Sequence, residues 1–133
     1  MLDPLVINID VCGICNESCN YCPRSHGYPN IKEYMSLRMF KDFIDTVNDW
    51  GYTGFICWSG RGENSLHPDY SAMIKILHHK HRKYKTRILT NGYKWEKKKE
   101  LLEMFDVMIL NTYSTKEETA RRKEAFPWAD VRF

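Results

Sequence analysis

Four of the chain's five cysteines fall within the stretch CGICNESCNYCP, residues 12–23. Thiols that close together serve a disulfide framework, a zinc knot or an iron-sulfur cluster. Cys15, Cys19 and Cys22 have the spacing C-x3-C-x2-C. Three thiolates on one short loop can hold three corners of a cuboidal iron-sulfur cluster, leaving the fourth iron open to a ligand that is not protein. Cys12 adds an alternative, because Cys12-x2-Cys15 with Cys19-x2-Cys22 supplies four thiolates, the set that tetrahedral zinc requires. The two pairs follow each other on one loop, however, whereas the ligand pairs of a zinc ribbon sit on separate loops. Cys57 lies inside an apolar run and reads as a buried thiol acting as a small hydrophobe.

The rest of the chain constrains that choice. At 133 residues it is expected to form a single domain over 1–133, large enough to bury a core without covalent staples. Its apolar stretches, such as Leu5-Val6-Ile7 and residues 107–110, are far too short to span a bilayer, so no membrane association is expected. The amino terminus lacks the basic region of a secretion signal, and the expected location is cytoplasmic. A reducing cytosol disfavours disulfides and turns the cysteines toward metal or catalysis. The net charge of +3 is too small to mark a nucleic-acid protein. The basic runs KILHHKHRKYKTR and KWEKKK read as solvated helix faces and a helix end whose dipole favours cations.

Strands and helices alternate along the sequence. Leu5, Ile7, Ile9 and Val11 alternate with Val6, Asn8 and Asp10, the period of a strand. Leu37, Phe40, Phe43, Ile44 and Val47 recur at helical spacing, with Ser36 as N-cap and Gly51 as the stop. GFICWSG reads as a second strand, followed by a helix with Tyr70, Met73, Ile74 and Leu77 on one face. TRILT and DVMILN read as a third and fourth strand on either side of a highly charged helix that buries Leu101, Leu102 and Phe105. Thr115 and Glu118 form a capping box for a fourth helix ending near Ala125, and DVRF can begin a fifth strand. The expected fold is therefore α/β, a parallel sheet of strand-helix repeats.

In such a sheet every strand-to-helix loop emerges at the carboxyl edge, where ligands bind. Those loops are CGICNESCNYCPR, SGRGENSLHPD, TNG and NTYS, so the least generic stretches of the chain converge on one rim. Alone, SGRGEN would read as a flexible glycine turn with Glu63, Asn64 and His67 in solvent. Its place on the cysteine-bearing rim raises the functional reading, with Gly60 and Gly62 letting backbone approach a bound molecule.

Taken together, the motifs resemble those of radical S-adenosylmethionine (radical SAM) enzymes. CNESCNYC matches the family's C-x3-C-x-aromatic-C signature, with Tyr21 as the aromatic. SGRGENSLHPD resembles its glycine-glycine-glutamate motif, with Gly62 and Glu63 matching and Arg61 in place of a usual glycine. ILTNGY resembles the third-strand segment, and YMSLRMFKDFID the first helix of many members. The resemblance implies a shortened (βα)6-type partial TIM barrel that lacks the last strands. It implies a 4Fe-4S cluster on Cys15, Cys19 and Cys22, with the methionine amino and carboxylate groups of S-adenosyl-L-methionine on the open iron. Tyr21 would pack near the adenine, the loop of Gly60, Arg61, Gly62 and Glu63 would hold the methionine amino group, and Asn111 and Ser114 would contact the ribose.

The activity this implies is reductive cleavage of S-adenosylmethionine to a 5'-deoxyadenosyl radical that abstracts hydrogen from an unknown substrate. It calls for an external electron donor such as a flavodoxin or ferredoxin, and no protein acid or base is nominated for the hydrogen abstraction. Two rival readings are a relative that keeps the fold but catalyses nothing, and a zinc module on Cys12, Cys15, Cys19 and Cys22 that contacts nucleic acid. A sheet stopping at a fifth strand leaves an open edge, so a second copy or a partner chain is expected to cover it. Within the chain, Phe126, Trp128 and Phe133 are the residues that could fold back over that edge.

Overall fold

The computed structural model describes residues 4–112 and 115–132. Five strands form one sheet in the order β1-β2-β3-β4-β5, with every neighbouring pair parallel. They are β1 (Val6–Ile9), β2 (Phe55–Trp58), β3 (Lys85–Thr90), β4 (Val107–Asn111) and β5 (Asp130–Arg132). The connections carry α1 (Leu37–Asp49), α2 (Tyr70–Leu77), α3 (Lys99–Leu102) and α4 (Lys116–Ala125). This is the α/β architecture of a partial barrel, and the sheet is not closed.

The two faces of the sheet have different fates, and the strand period of two separates them. Ile9, Trp58, Ile88 and Met108 stand in one register across four strands, and all are buried under the helices. Trp58 stacks between Phe40 of α1 at 5.7 Å and Tyr70 of α2 at 5.5 Å, which anchors both helices to the sheet centre. The opposite face carries Asn8, Cys57, Arg87 and Val107 in one register, and of these only Cys57 is buried.

Local signals behave as the sequence suggests. The Ser36 hydroxyl accepts from the Met39 N–H at 3.1 Å, and Gly51 follows α1 with φ of +73°, the left-handed conformation that stops a helix. The Thr115 hydroxyl accepts from the Glu118 N–H at 3.2 Å, but Glu118 does not complete the box. Its carboxylate accepts instead from the Trp95 indole at 2.9 Å and from Arg122 Nε at 3.0 Å, tying α4 to the segment before α3.

The third helix is shorter than its charge pattern suggests. Residues 95–98 form a 3₁₀ turn and only Lys99–Leu102 is α-helical, so Phe105 is buried from beyond the helix end. Lys94 enters the turn in the left-handed conformation, with φ of +51°, which a regular helix does not admit. At the far edge Phe126 is fully buried and packs edge-on to Trp95 at 5.4 Å, while Trp128 stays 44% exposed. Phe133 lies outside the described residues.

Candidate active site

The cysteine segment is a long excursion whose two ends are closed on each other. Met35 N–H donates to Val11 O at 3.0 Å and Gly13 N–H to Glu33 O at 2.9 Å, around an antiparallel bridge of Cys12 with Tyr34. This clamp seats the excursion at the carboxyl end of β1. Within it, Cys22 N–H donates to Cys19 O at 2.9 Å, and Pro23 opens a 3₁₀ turn that Gly27 ends at φ of +92°.

One cavity of about 260 Å³ gathers the rim residues. Cys15, Cys19, Cys22 and Tyr21 line it from the first loop, Gly60, Arg61, Gly62 and Glu63 from the second, and Asn111 from the end of β4. Of the residues singled out from sequence only Ser114 is missing, because it lies outside the described residues. All five cysteines are free thiols, and the three that line the cavity are half-buried. Burial pushes the Cys15 thiol above its ordinary range, so binding a metal there would release a proton. Among the described residues no three Cys, His, Asp or Glu side chains converge tightly enough to chelate a single ion.

Three half-buried thiols lining one cavity are a donor set that the corners of an iron-sulfur cluster could take up. Cys12 stands apart from them. It is 2% exposed, lines a different cavity with Asp10 and Glu33, and directs its thiol to Ile14 O at 3.7 Å. Enlisting it in a four-thiolate zinc site would require it to leave the core.

The second loop is not a solvated turn. Glu63, Asn64 and His67 are 3%, 1% and 4% exposed. Glu63 accepts from Ser65 N–H at 3.2 Å, from the Thr90 hydroxyl at 2.7 Å and from Asn91 N–H at 2.8 Å, joining this loop to the end of β3. These bonds compensate the burial of its charge. Burial lowers the affinity of Lys98 for its proton and the nearby Glu63 charge opposes that effect; the Lys98 ammonium donates to Ser65 O at 2.9 Å. His67 spans Met35 O at 2.8 Å and Asp69 N–H at 2.9 Å, so its ring is a strut between loop and α1 entrance.

The glycines also act differently from the expectation that they open the backbone to a ligand. A Cβ on Gly62 would lie 2.0 Å from Cys12 O and 2.5 Å from Ile14 O, so the approach that demands glycine is to the cysteine loop itself. The adjacent Glu63 N–H donates to Ile14 O at 2.8 Å. Arg61, in place of a usual glycine, pairs with Asp10 at 3.3 Å and donates to the Tyr28 hydroxyl at 3.1 Å.

Several residues here were not singled out from sequence. Asn91 donates to Asn16 Oδ1 at 2.9 Å and approaches Cys15 Sγ at 3.8 Å, while Glu17, Ser59, Leu89 and Thr90 complete the cavity wall. Asn91 could have been found, since it ends the third strand on the same rim. Glu17 and Ser59 carry no sequence signal beyond their place in the two loops.

No helix among the described residues is long and apolar enough to cross a membrane. No curated protein matches the chain. In overall fold it is similar to two solved structures, "BtrN in complex with AdoMet and 2-DOIA" and "SeMet BtrN in an OPEN conformation". The TM-scores are 0.81 and 0.72, each at 19% identity and covering 96% of this chain. The chain spans about half the length of those proteins, 56% and 55%. The sequence profile of the Radical SAM superfamily matches residues 9–127, most of the chain, and the protein therefore belongs to that superfamily.

Proposed function

We propose that the rim cavity holds a 4Fe-4S cluster and S-adenosylmethionine, and that the chain supplies the cofactor-binding part of a radical SAM enzyme. The observation that carries this reading is the gathering of Cys15, Cys19 and Cys22 around one cavity with the 60–63 loop, in a chain of this superfamily. Held there by Cys15, Cys19, Cys22 and the 60–63 loop, the cluster and S-adenosylmethionine would supply one-electron reductive cleavage of the sulfonium and, through it, hydrogen-atom abstraction from a substrate. BtrN, similar in fold, was crystallised with AdoMet, which supports the choice of cofactor.

The chain's own residues have distinct tasks in this reading. Cys15, Cys19 and Cys22 give up thiol protons and hold the metal. Gly60, Arg61, Gly62 and Glu63 form the wall for the methionine end, with Glu63 held in place by Thr90 and Asn91. Tyr21, 76% exposed on the cavity lining, closes over the adenine, and Asn111 with Ser114 addresses the ribose. The uncovered sheet face beside the cavity receives the substrate. An external one-electron donor of the flavodoxin or ferredoxin type completes the cycle.

Anaerobic reconstitution tests this. The expected outcome is a brown protein with close to four irons per chain, lost in Cys15→Ala, Cys19→Ala and Cys22→Ala but kept in Cys12→Ala and Cys57→Ala. Reductant with S-adenosylmethionine should then release 5'-deoxyadenosine. A colourless zinc protein, or cluster loss in Cys12→Ala, would overturn the ligand assignment. A cluster with no 5'-deoxyadenosine would favour the non-catalytic relative.

A further inference from the structure

Arg24 closes the quoted cysteine loop two residues after the last of the three cavity cysteines and lies outside their C-x3-C-x2-C spacing. Its guanidinium nevertheless reaches three separate segments. Nε donates to Arg61 O at 2.8 Å, Nη2 to Gly13 O at 2.7 Å, and Nη1 to Asn30 Oδ1 at 2.5 Å. Asn30 passes this restraint on to a cysteine. Its Oδ1 also accepts from Cys15 N–H at 3.0 Å, and its Nδ2 donates to Cys15 O at 3.3 Å. One amide side chain thus grips both backbone polar groups of Cys15, as a neighbouring strand would.

The arrangement uses the shape of the guanidinium. Three donors diverge in one plane toward three acceptors, which the single ammonium of lysine cannot reproduce. The side chain that results links the start of the cysteine loop, its return limb and the 60–63 loop. Among the described residues no carboxylate forms an ion pair with Arg24, so its charge is committed to carbonyl and amide oxygens.

We propose that Arg24, acting through Asn30, is a positioning residue that holds the Cys15 backbone and the two cavity loops in their ligand-receiving arrangement before any cofactor binds. The inference deepens the cluster-binding reading and rests on it for its purpose, but its geometric content concerns the metal-free chain. Cluster assembly would then meet a loop already ordered, and the ordering entropy would not oppose it.

Hydrogen exchange on the metal-free protein tests it directly. The Cys15 amide should exchange at least about tenfold faster in Asn30→Ala, which removes its acceptor, and in Arg24→Lys, which removes the charge-assisted bond that fixes that acceptor. The His78 amide, bonded to Ile74 O at the end of α2 and in none of the segments the clasp joins, should keep its protection. On reconstitution, the initial rate of iron uptake should fall by about the same factor in both variants, with circular dichroism unchanged. Lysine retains the charge, so its failure to rescue identifies the planar fork as the cause. Unchanged Cys15 exchange in folded Asn30→Ala, or full rescue by Arg24→Lys, would overturn the proposal. Wild-type protein that takes up no iron would instead sink the cluster reading, while the exchange result would stand separately.

Discussion

Replacing Gly62 with alanine should destabilise the metal-free protein more than the same change at Gly60. The new methyl would stand 2.0 Å from Cys12 O and 2.5 Å from Ile14 O, whereas unstrained carbon-oxygen contacts begin near about 3.3 Å. Both obstacles are backbone, so no rotamer change relieves them and the loops must part by more than about 1 Å. Overpacking of this kind costs about 1–3 kcal/mol, and separating the loops also strains the 2.8 Å bond from Glu63 N–H to Ile14 O, adding about 1 kcal/mol. The total of about 2–4 kcal/mol corresponds to a fall in Tm of about 10 °C for a domain of this size. At Gly60 the obstacles are the Asp10 carboxylate at 2.3 Å, which can rotate away at the expense of its bonds to Arg61, and the Asp10 Cβ at 2.8 Å, which needs only a shift of several tenths of an ångström, together about 1–2 kcal/mol. Calorimetry of both variants without metal is the assay. Equal Tm values for Gly62→Ala and wild type, or a larger loss for Gly60→Ala, would refute the claim that glycine is required here by loop-loop contact.

Glu63→Gln should cost about 1–3 kcal/mol in urea titration, because one carboxamide cannot accept all three bonds from Ser65, Thr90 and Asn91; unchanged stability would show that the carboxylate is not the strut. Burial holds His78 below its ordinary 6.5, against the opposing pull of Ile74 O, so the folded chain keeps it neutral while the unfolded chain takes up a proton. Its contribution is therefore complete above pH 6.5 and is lost as pH falls toward the folded-state value, with a slope of at most about 1.4 kcal/mol per pH unit. A His78→Asn variant that shows the wild-type dependence between pH 6.5 and 5 would remove that assignment. Finally, among the described residues β1 and β5 each pair on one side only and Leu5 is 85% exposed beside the first, so light scattering on this chain by itself should reveal self-association that grows with concentration. A strictly monomeric protein at all concentrations would refute it.

The sequence by itself determined the features that depend on neighbours two to four residues away. The apolar period that gives β1 over Val6–Ile9, the Ser36 cap and the Gly51 stop are local in this sense, although Leu5, at the start of the same period, is 85% exposed rather than on the buried face. The convergence of the loops followed from topology, since parallel strands joined by helices put all such loops on one edge. Tertiary structure decided what the loops do to one another. The Arg24 bond to Arg61 O crosses 37 residues, and Glu63 reaches Thr90 across 27. Such contacts depend on how adjacent strands are staggered, which no short pattern encodes. For the same reason neither the carbonyls of the cysteine loop that crowd Gly62 nor the burial of Glu63, Asn64 and His67 where the two loops cross could be read from sequence. Cys12 shows the limit most plainly. By spacing it was a fourth thiolate, and only the bridge to Tyr34, which turns the chain back on itself, assigns it to the core.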